Sequence, residues 1–380
     1  MDEDLLKDTS PGPVILFGSG ETSPSGRKVF DTVLRDLPQP PRVSLVETPA
    51  GFELNSSQVI GRVGEFITHR LQNYQPRLSY VQARMRGTPY SPDNPEIVEP
   101  IYQSDLIFMG PGSPTYAVRQ LKDSLTWQAI LAKHRLGSAL ALASAAVIAI
   151  SAHALPVYEI YKVGEDLHWK GGLNLFGYFG LPLVFIPHWN NNDGGEELDT
   201  SRCFMGKPRF AKMMKMLPAD LTVVGIDEKT ALIIYPKEAI CQVVGLGGVT
   251  FIHTGQPHKD SIIDEDLQGT GLAEVAHQRK GHVHQFRSGQ SFSLSRIGAL
   301  YSPESGADIP EDVWQHALQA QKEPDEEVSE PTEAVLELVH EREAARQRKD
   351  WSSADRLRAE IADMGWQVQD GPEGSQLEKL

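Results

Sequence analysis

The sequence predicts an open, mostly parallel α/β sheet wound with helices on both faces, followed by a small C-terminal α-helical hairpin. Three observations carry this. Short apolar runs alternate with helix-compatible segments through the first half of the chain, with turn residues at the run ends. At residues 139–153 an apolar run leads into Ser144, and a small-residue, helix-compatible run follows. Beyond residue 302 the composition turns rich in Pro and Glu, then becomes helical again.

Taken in order, residues 1–12 are polar and expected to be loose, and Val14-Ile15-Leu16-Phe17 reads as a buried strand ended by Gly18-Ser19-Gly20-Glu21. A helix is expected over residues 25–37, ended by the prolines at 38, 40 and 41. Strands follow at 42–47, 78–83 and 106–109, with a helix over 56–72 between the first two. Gly110-Pro111-Gly112-Ser113-Pro114 turns into a helix over 115–121, a further helix covers 127–133, and the strand at 139–143 reaches Ser144. The strand at 183–186 runs into Pro187-His188-Trp189-Asn190-Asn191-Asn192-Asp193. Short runs at 221–225, 231–235, 240–244 and 249–253 predict antiparallel edge hairpins. The last strand-like stretches, 291–294 and 299–300, close an α/β domain over residues 1–302. Residues 303–332 read as an acidic linker with a short helix at 312–321, and residues 333–380 as the helical hairpin, turning at 349–353. Val335, Leu338 and Val339 share one face of the hairpin, and Ala354, Leu357 and Ile361 another.

Composition bounds the function classes. A chain of 380 residues with 40% hydrophobic content supports one large core plus an addition, and no apolar stretch reaches membrane-spanning length. Residues 303–380 hold 20 of the 51 acids and 8 of the 36 bases, so the acidity belongs to the tail. The acidic balance argues against phosphate-driven nucleic-acid binding, which relies on clustered Lys and Arg. Cys203 and Cys241 alone suggest free thiols in a reducing compartment, and the acidic start lacks a secretory signal pattern, so a cytoplasmic location is expected.

A serine at a strand-to-helix turn stands exposed beside helix-start amides, but its hydroxyl needs a base and a group to orient that base. His188, in a polar loop after an apolar strand, is the candidate base, and Glu228, in Gly225-Ile226-Asp227-Glu228-Lys229-Thr230, the candidate orienting acid. The Gly112 and Ala145 N–H groups are placed to receive a developing oxyanion. On spacing alone Ser144 reads equally as a small residue at a close-packed turn. Ser113, Lys162, Asn190 and Arg202 are candidate substrate contacts, the two cations suiting a substrate carboxylate, although an ordinary surface ion pair is the simpler explanation of each cation. No cofactor or metal is expected: the 18–23 loop lacks a third glycine, the Asn-rich loop lacks calcium-loop spacing, and His282 and His284 have no third ligand nearby.

Five segments carry a resemblance: Gly18-Ser19-Gly20-Glu21, Gly110-Pro111-Gly112-Ser113-Pro114-Thr115-Tyr116, Ala143-Ser144-Ala145-Ala146, Pro187-His188-Trp189 and Gly225-Ile226-Asp227-Glu228-Lys229-Thr230-Ala231. Over roughly residues 13–300 the chain resembles the S51 serine peptidases, the family of aspartyl dipeptidase (peptidase E) and cyanophycinase, with a class I glutamine amidotransferase-like fold. The resemblance implies a triad at Ser144, His188 and Glu228, oxyanion donors at Gly112 and Ala145, and hydrolysis of a small peptide-like substrate. The chain departs from the family at Leu142 and Ala146, where glycines are usual and a side chain can crowd the strained turn. Residues 341–358, with Gly365 and Asp370-Gly371-Pro372-Glu373-Gly374, are similar to the C-terminal helical module of cysteinyl-tRNA synthetases. That resemblance implies RNA contact through Arg342, Arg346, Arg348, Lys349, Arg356 and Arg358; the excess of acids over bases in residues 332–380 leaves protein docking equally open. The alternative to an enzyme is a non-catalytic binding protein of the same fold, with the tail contacting RNA or a protein partner.

Overall fold

The computed structural model describes residues 10–254, 282–298, 306–322, 333–364, 366–371 and 374–379. The chain forms two compact units, Met1–Gln321 and Lys322–Leu380. The strand expected at 299–300, the boundary at 302 and residues 323–332 of the expected linker lie outside the described residues.

The first unit is built on an eight-stranded sheet. Its parallel centre consists of β1 (Val14–Phe17), β2 (Arg42–Val46), β3 (Arg77–Val81), β4 (Leu106–Met109) and β5 (Ala139–Ala143). β1, β4 and β5 are apolar on both faces because both are covered, whereas β3 at the sheet edge is largely exposed. Along β5, Ala139, Ala141 and Ala143 join one core cluster, and Leu140 and Leu142 the other. The first cluster is closed by Val29, Phe30 and Val33 of helix α1 (Pro24–Leu34) and by Ile60, Val63 and Ile67 of α2 (Ser56–Arg70). Ser23 caps α1 by accepting the Gly26 N–H, and Pro24 stands at the first helical turn, where a missing N–H does no harm. The other face is covered by α3 (Pro95–Tyr102) and α5 (Leu125–Arg135); α4 (Pro114–Leu121) lies between these in the chain and α6 (Ala145–Ala149) follows β5.

The expected edge hairpins divide between two sheets. Strands β10 (Thr230–Tyr235), β11 (Ile240–Gly245) and β14 (Ser291–Ser293) extend the main sheet antiparallel beyond β1. The strand that leads to His188, β8 (Leu183–Ile186), instead pairs in parallel with β9 (Leu221–Ile226). With β12 (Gly248–Thr254) and β13 (His282–Arg287) they form a second, four-stranded sheet. Phe210, Met213 and Met214 of α7 (Gly206–Met216) cover one face of that sheet through Val184, Ile186 and Val223. The two-residue strands β6 (His153–Ala154) and β7 (Lys170–Gly171) pair beside it.

Residues 306–322 contain α8 (Glu311–Lys322), and its Val313, Trp314, Ala317 and Ala320 belong to the main core cluster. The expected linker helix is therefore part of the first compact unit, which runs to Gln321 rather than to residue 302. An amphipathic face explains the difference, since burying a Val or Trp side chain contributes roughly 1.5–3 kcal/mol.

The second unit holds α9 (Glu333–Gln347) and α10 (Trp351–Asp363), the expected hairpin, with Asp350 capping α10 through the Ser353 N–H. It also holds an antiparallel β-hairpin absent from the sequence expectation, β15 (Trp366–Gly371) with β16 (Gly374–Lys379). Val335, Val339 and Ile361 of the helices pack with Trp366 and Val368 of the strands.

Candidate active site

Ser144 stands between β5 and α6 with φ of 50°. With ψ of −109° this positive-φ conformation is strained for a residue carrying a Cβ, and such a strand-to-helix turn can hold a side chain exposed at the sheet's end. Its neighbours are small, and Ala145 and Ala146 are buried against the first turn. The residues replacing the usual glycines are accommodated below the turn. Leu142 and Ala146 both lie in the core cluster that contains Leu16, Met109 and Leu232.

Ser144 Oγ is 3.0 Å from His188 Nε2, and His188 Nδ1 is 3.1 Å from Glu228 Oε1. If Nδ1–H donates to the carboxylate, Nε2 is left to accept the serine O–H, the arrangement a general base requires. The three groups come from two sheets and the turn between them. Ser144 ends a strand of the main sheet, His188 follows β8 of the second, and Glu228 lies in the β9–β10 turn that joins the two. The His188 N–H donates to Gly18 O at 3.0 Å and the Lys229 N–H to Ser19 Oγ at 3.1 Å, so the loop after β1 ties the other two loops together. A close approach at Gly225, where a Cβ would lie 2.3 Å from the Trp189 indole, lets the His188 loop sit against β9.

Glu228 is held by more than the imidazole. Asn191 Nδ2 donates to the same Oε1 at 3.0 Å, and Asn190 Oδ1 accepts the Glu228 N–H at 2.8 Å. The His188 hydrogen bond, helped by Asn191 and opposed by partial burial, keeps the carboxyl below its ordinary range. Asn191, in the Asn190–Asp193 stretch whose polarity suggests pocket lining, is buried and holds the Glu228 carboxylate instead. Half-buried Glu21 is a second carboxyl within electrostatic reach of His188, raised above its ordinary range by burial.

The Gly112–Ser113 loop is fixed by the Ser113 N–H, which donates to Pro49 O at 2.9 Å, and by Ser113 Oγ, which caps α4 at the Tyr116 N–H. Gly112 has φ of 145°, and a Cβ there would lie 2.0 Å from Pro49 O, so only glycine fits. Beside Ser113 opens a cleft of about 490 Å³ walled by Phe52, Tyr116, Tyr158, Glu159 and Lys170. Thr115 Oγ1 donates to Glu159 Oε1 at 2.5 Å, and Lys170 Nζ stands 3.8 Å from the same oxygen.

The remaining sequence candidates separate. Asn190 supports the Glu228 loop as described. Lys162 is exposed, its ammonium 4.7 Å from the Tyr158 ring centre. Arg202 is buried, stacked 4.0 Å over the Trp189 ring, and donates from Nη1 to Trp189 O at 2.9 Å. Burial pushes its guanidinium down to about 10. Its contacts are with the histidine loop rather than with a ligand surface. Cys203 is buried, free and pushed up to about 12 by that burial, the opposite of a reactive thiolate. Among the described residues no cluster of three or more His, Cys, Asp or Glu side chains is arranged for a metal ion. Among them, too, no helix is long and apolar enough to cross a membrane.

The first unit's fold is shared with a solved peptidase structure. The chain is similar to the structure of a peptidase from an acI-B1 Actinobacterium, with a TM-score of 0.54 and 23% identity, covering 74% of this chain and 97% of that one. A putative peptidase E protein from Listeria monocytogenes EGD-e is similar with a TM-score of 0.43 and 16% identity, over 62% of this chain and 100% of that one. The C-terminal unit has a different likeness. Residues 329–376 match the family model of the cysteinyl-tRNA ligase anticodon binding domain. The cysteine–tRNA ligase of Chlamydia muridarum (strain MoPn / Nigg) is 40% identical over 84 residues, 22% of this chain and 13% of that protein. The chain thus spans about an eighth of the length of that curated relative.

Proposed function

We propose that the chain is a serine-type amide hydrolase acting on a small peptide-like substrate. The observation that carries this reading is the hydrogen-bonded series Ser144–His188–Glu228, at 3.0 and 3.1 Å, on a serine held at positive φ. Ser144 Oγ attacks the scissile carbonyl while His188 Nε2 takes its proton, and Glu228 stabilises the imidazolium that forms. The Gly112 and Ala145 N–H groups receive the oxyanion. His188 then passes the proton to the leaving amine, and water activated by the same imidazole hydrolyses the acyl-enzyme. The cleft beside Ser113 takes the substrate group on the oxyanion side, with Phe52, Tyr116 and Tyr158 as apolar walls.

A fluorophosphonate probe tests the reading. Intact-mass spectra of the full chain are expected to show one adduct, mapped to the peptide that contains Ser144 and absent from Ser144→Ala. A chain that takes no adduct at any pH is a binding protein of the same fold, and the hydrolase reading fails.

The family match of residues 329–376 favours a second role, tRNA contact by the C-terminal unit. Arg348, Lys349, Arg356 and Arg358 are exposed there, and Trp351 is 59% exposed beside the turn, as a base-stacking side chain requires. Arg342, named with them from the sequence, is buried. Binding of tRNA by the full chain is expected to weaken as salt rises and to vanish when residues 333–380 are deleted. No binding at low salt removes this role and leaves protein docking.

A further inference from the structure

Arg202, Cys203 and Phe204 are three consecutive non-glycine residues with φ of 60°, 56° and 67°. L-residues normally enter this region singly, and such strain persists where the surroundings over-determine it. The turn is closed locally by the Phe204 N–H on Thr200 O at 2.9 Å and the Gly206 N–H on Ser201 O at 2.8 Å. Its outward contacts converge on the residues that carry the proposed base. The Arg202 backbone N–H and Nη1 both donate to Trp189 O, each at 2.9 Å, and the guanidinium stacks on the Trp189 ring. The Cys203 N–H donates to His188 O at 3.2 Å. The Phe204 ring centre lies 6.3 Å from the imidazole and 5.2 Å from Tyr161.

Resting on the hydrolase reading above, we propose that the left-handed turn Arg202-Cys203-Phe204 is a clamp that positions the His188 imidazole, with Arg202 and Phe204 as its positioning residues. His188 itself has φ of 52°, a conformation its own backbone does not favour. Hydrogen bonds to Ser144 and Glu228 fix the two ring nitrogens, but each is strong only while the ring stays in their common plane. The clamp supplies what they lack: two backbone carbonyls held from behind and an aromatic ring packed on the imidazole's flank. The planar guanidinium matters, since an ammonium neither stacks nor forks in this way. This gives Arg202 a role different from the substrate-carboxylate contact expected from the sequence, and the two roles separate kinetically.

The test uses the full chain, a fluorophosphonate probe and two conservative variants, Arg202→Lys and Phe204→Leu. Labelling of Ser144 is followed against probe concentration to separate the limiting rate from the half-saturating concentration. The limiting rate is expected to fall about 10–100-fold in each, the scale of a small misplacement of a reacting group, with the half-saturating concentration within about threefold. The low-field proton resonance of a His188 Nδ1–H bonded to Glu228 is expected to weaken in both and to return in Phe204→Tyr. Unchanged limiting rates in folded variants overturn the clamp, as does a change confined to the half-saturating concentration in Arg202→Lys, which returns Arg202 to ligand binding. Should Arg202→Lys fail to fold, Phe204→Leu decides. A parent chain that never labels overturns the hydrolase reading instead, and the resonance then decides the clamp: its persistence unchanged in both variants sinks it.

Discussion

His188→Ala is expected to slow acylation of Ser144 by on the order of 10⁴-fold or more, and Glu228→Gln by about 10³–10⁴-fold, the losses seen when a triad loses its base or its orienting acid. The reasons differ. Alanine leaves the serine proton without an acceptor at the 3.0 Å position of Nε2. Glutamine preserves shape but removes the negative charge that supports the imidazolium. Its amide, meeting both the imidazole and the Asn191 Nδ2–H, cannot favour the productive tautomer as firmly. Both are measured as second-order labelling rates on variants shown by circular dichroism to be folded. A His188→Ala protein that labels within tenfold of the parent excludes His188 as the base. The pH dependence has a definite sign. Glu228 is held below its ordinary value of 4.5 chiefly by the His188 hydrogen bond, so its folded value lies beneath the unfolded one. The stabilisation it contributes is present above the unfolded value and disappears progressively as pH falls through the folded one.

Much of the site was legible before any coordinates because its residues follow apolar strands at turns of distinctive composition. Ser144 follows Ala-Leu-Ala-Leu-Ala, His188 follows Leu-Val-Phe-Ile-Pro, and Glu228 follows Leu-Thr-Val-Val-Gly-Ile-Asp. Local composition says nothing of which strand pairs with which, since pairing depends on contacts remote in sequence. The separation of β8 and β9 into a second sheet is therefore invisible in the sequence. α7 escaped notice because Gly206-Lys207-Pro208-Arg209 opens it, and α3 because it carries prolines at 95 and 100. Arg202 was misread for a general reason: an isolated cation in a polar stretch looks the same whether it faces solvent or stacks on a buried indole. The C-terminal strands were missed for another, being polar and Gly-punctuated, with Trp366 and Val368 as their buried residues on one strand.

The departure from the peptidase pattern at the elbow yields the largest expected effect on stability. Leu142 is fully buried in β5, in register with Leu16 on one side and Met109 on the other. Glycine there removes four side-chain carbons from a packed core and loosens the strand. Leu→Ala at such a site costs about 2–5 kcal/mol and glycine about 0.5–1 more, so Leu142→Gly is expected to destabilise by about 3–6 kcal/mol. That is a large share of the roughly 5–15 kcal/mol that a folded domain has in hand. Urea denaturation followed by tryptophan fluorescence measures it. The labelling rate of Ser144 in the folded fraction is expected to stay within about tenfold of the parent, because the leucine is packed in the core cluster. A loss below about 1 kcal/mol together with faster labelling would mean that the leucine crowds the turn, and that this chain's core tolerates it at the expense of the nucleophile.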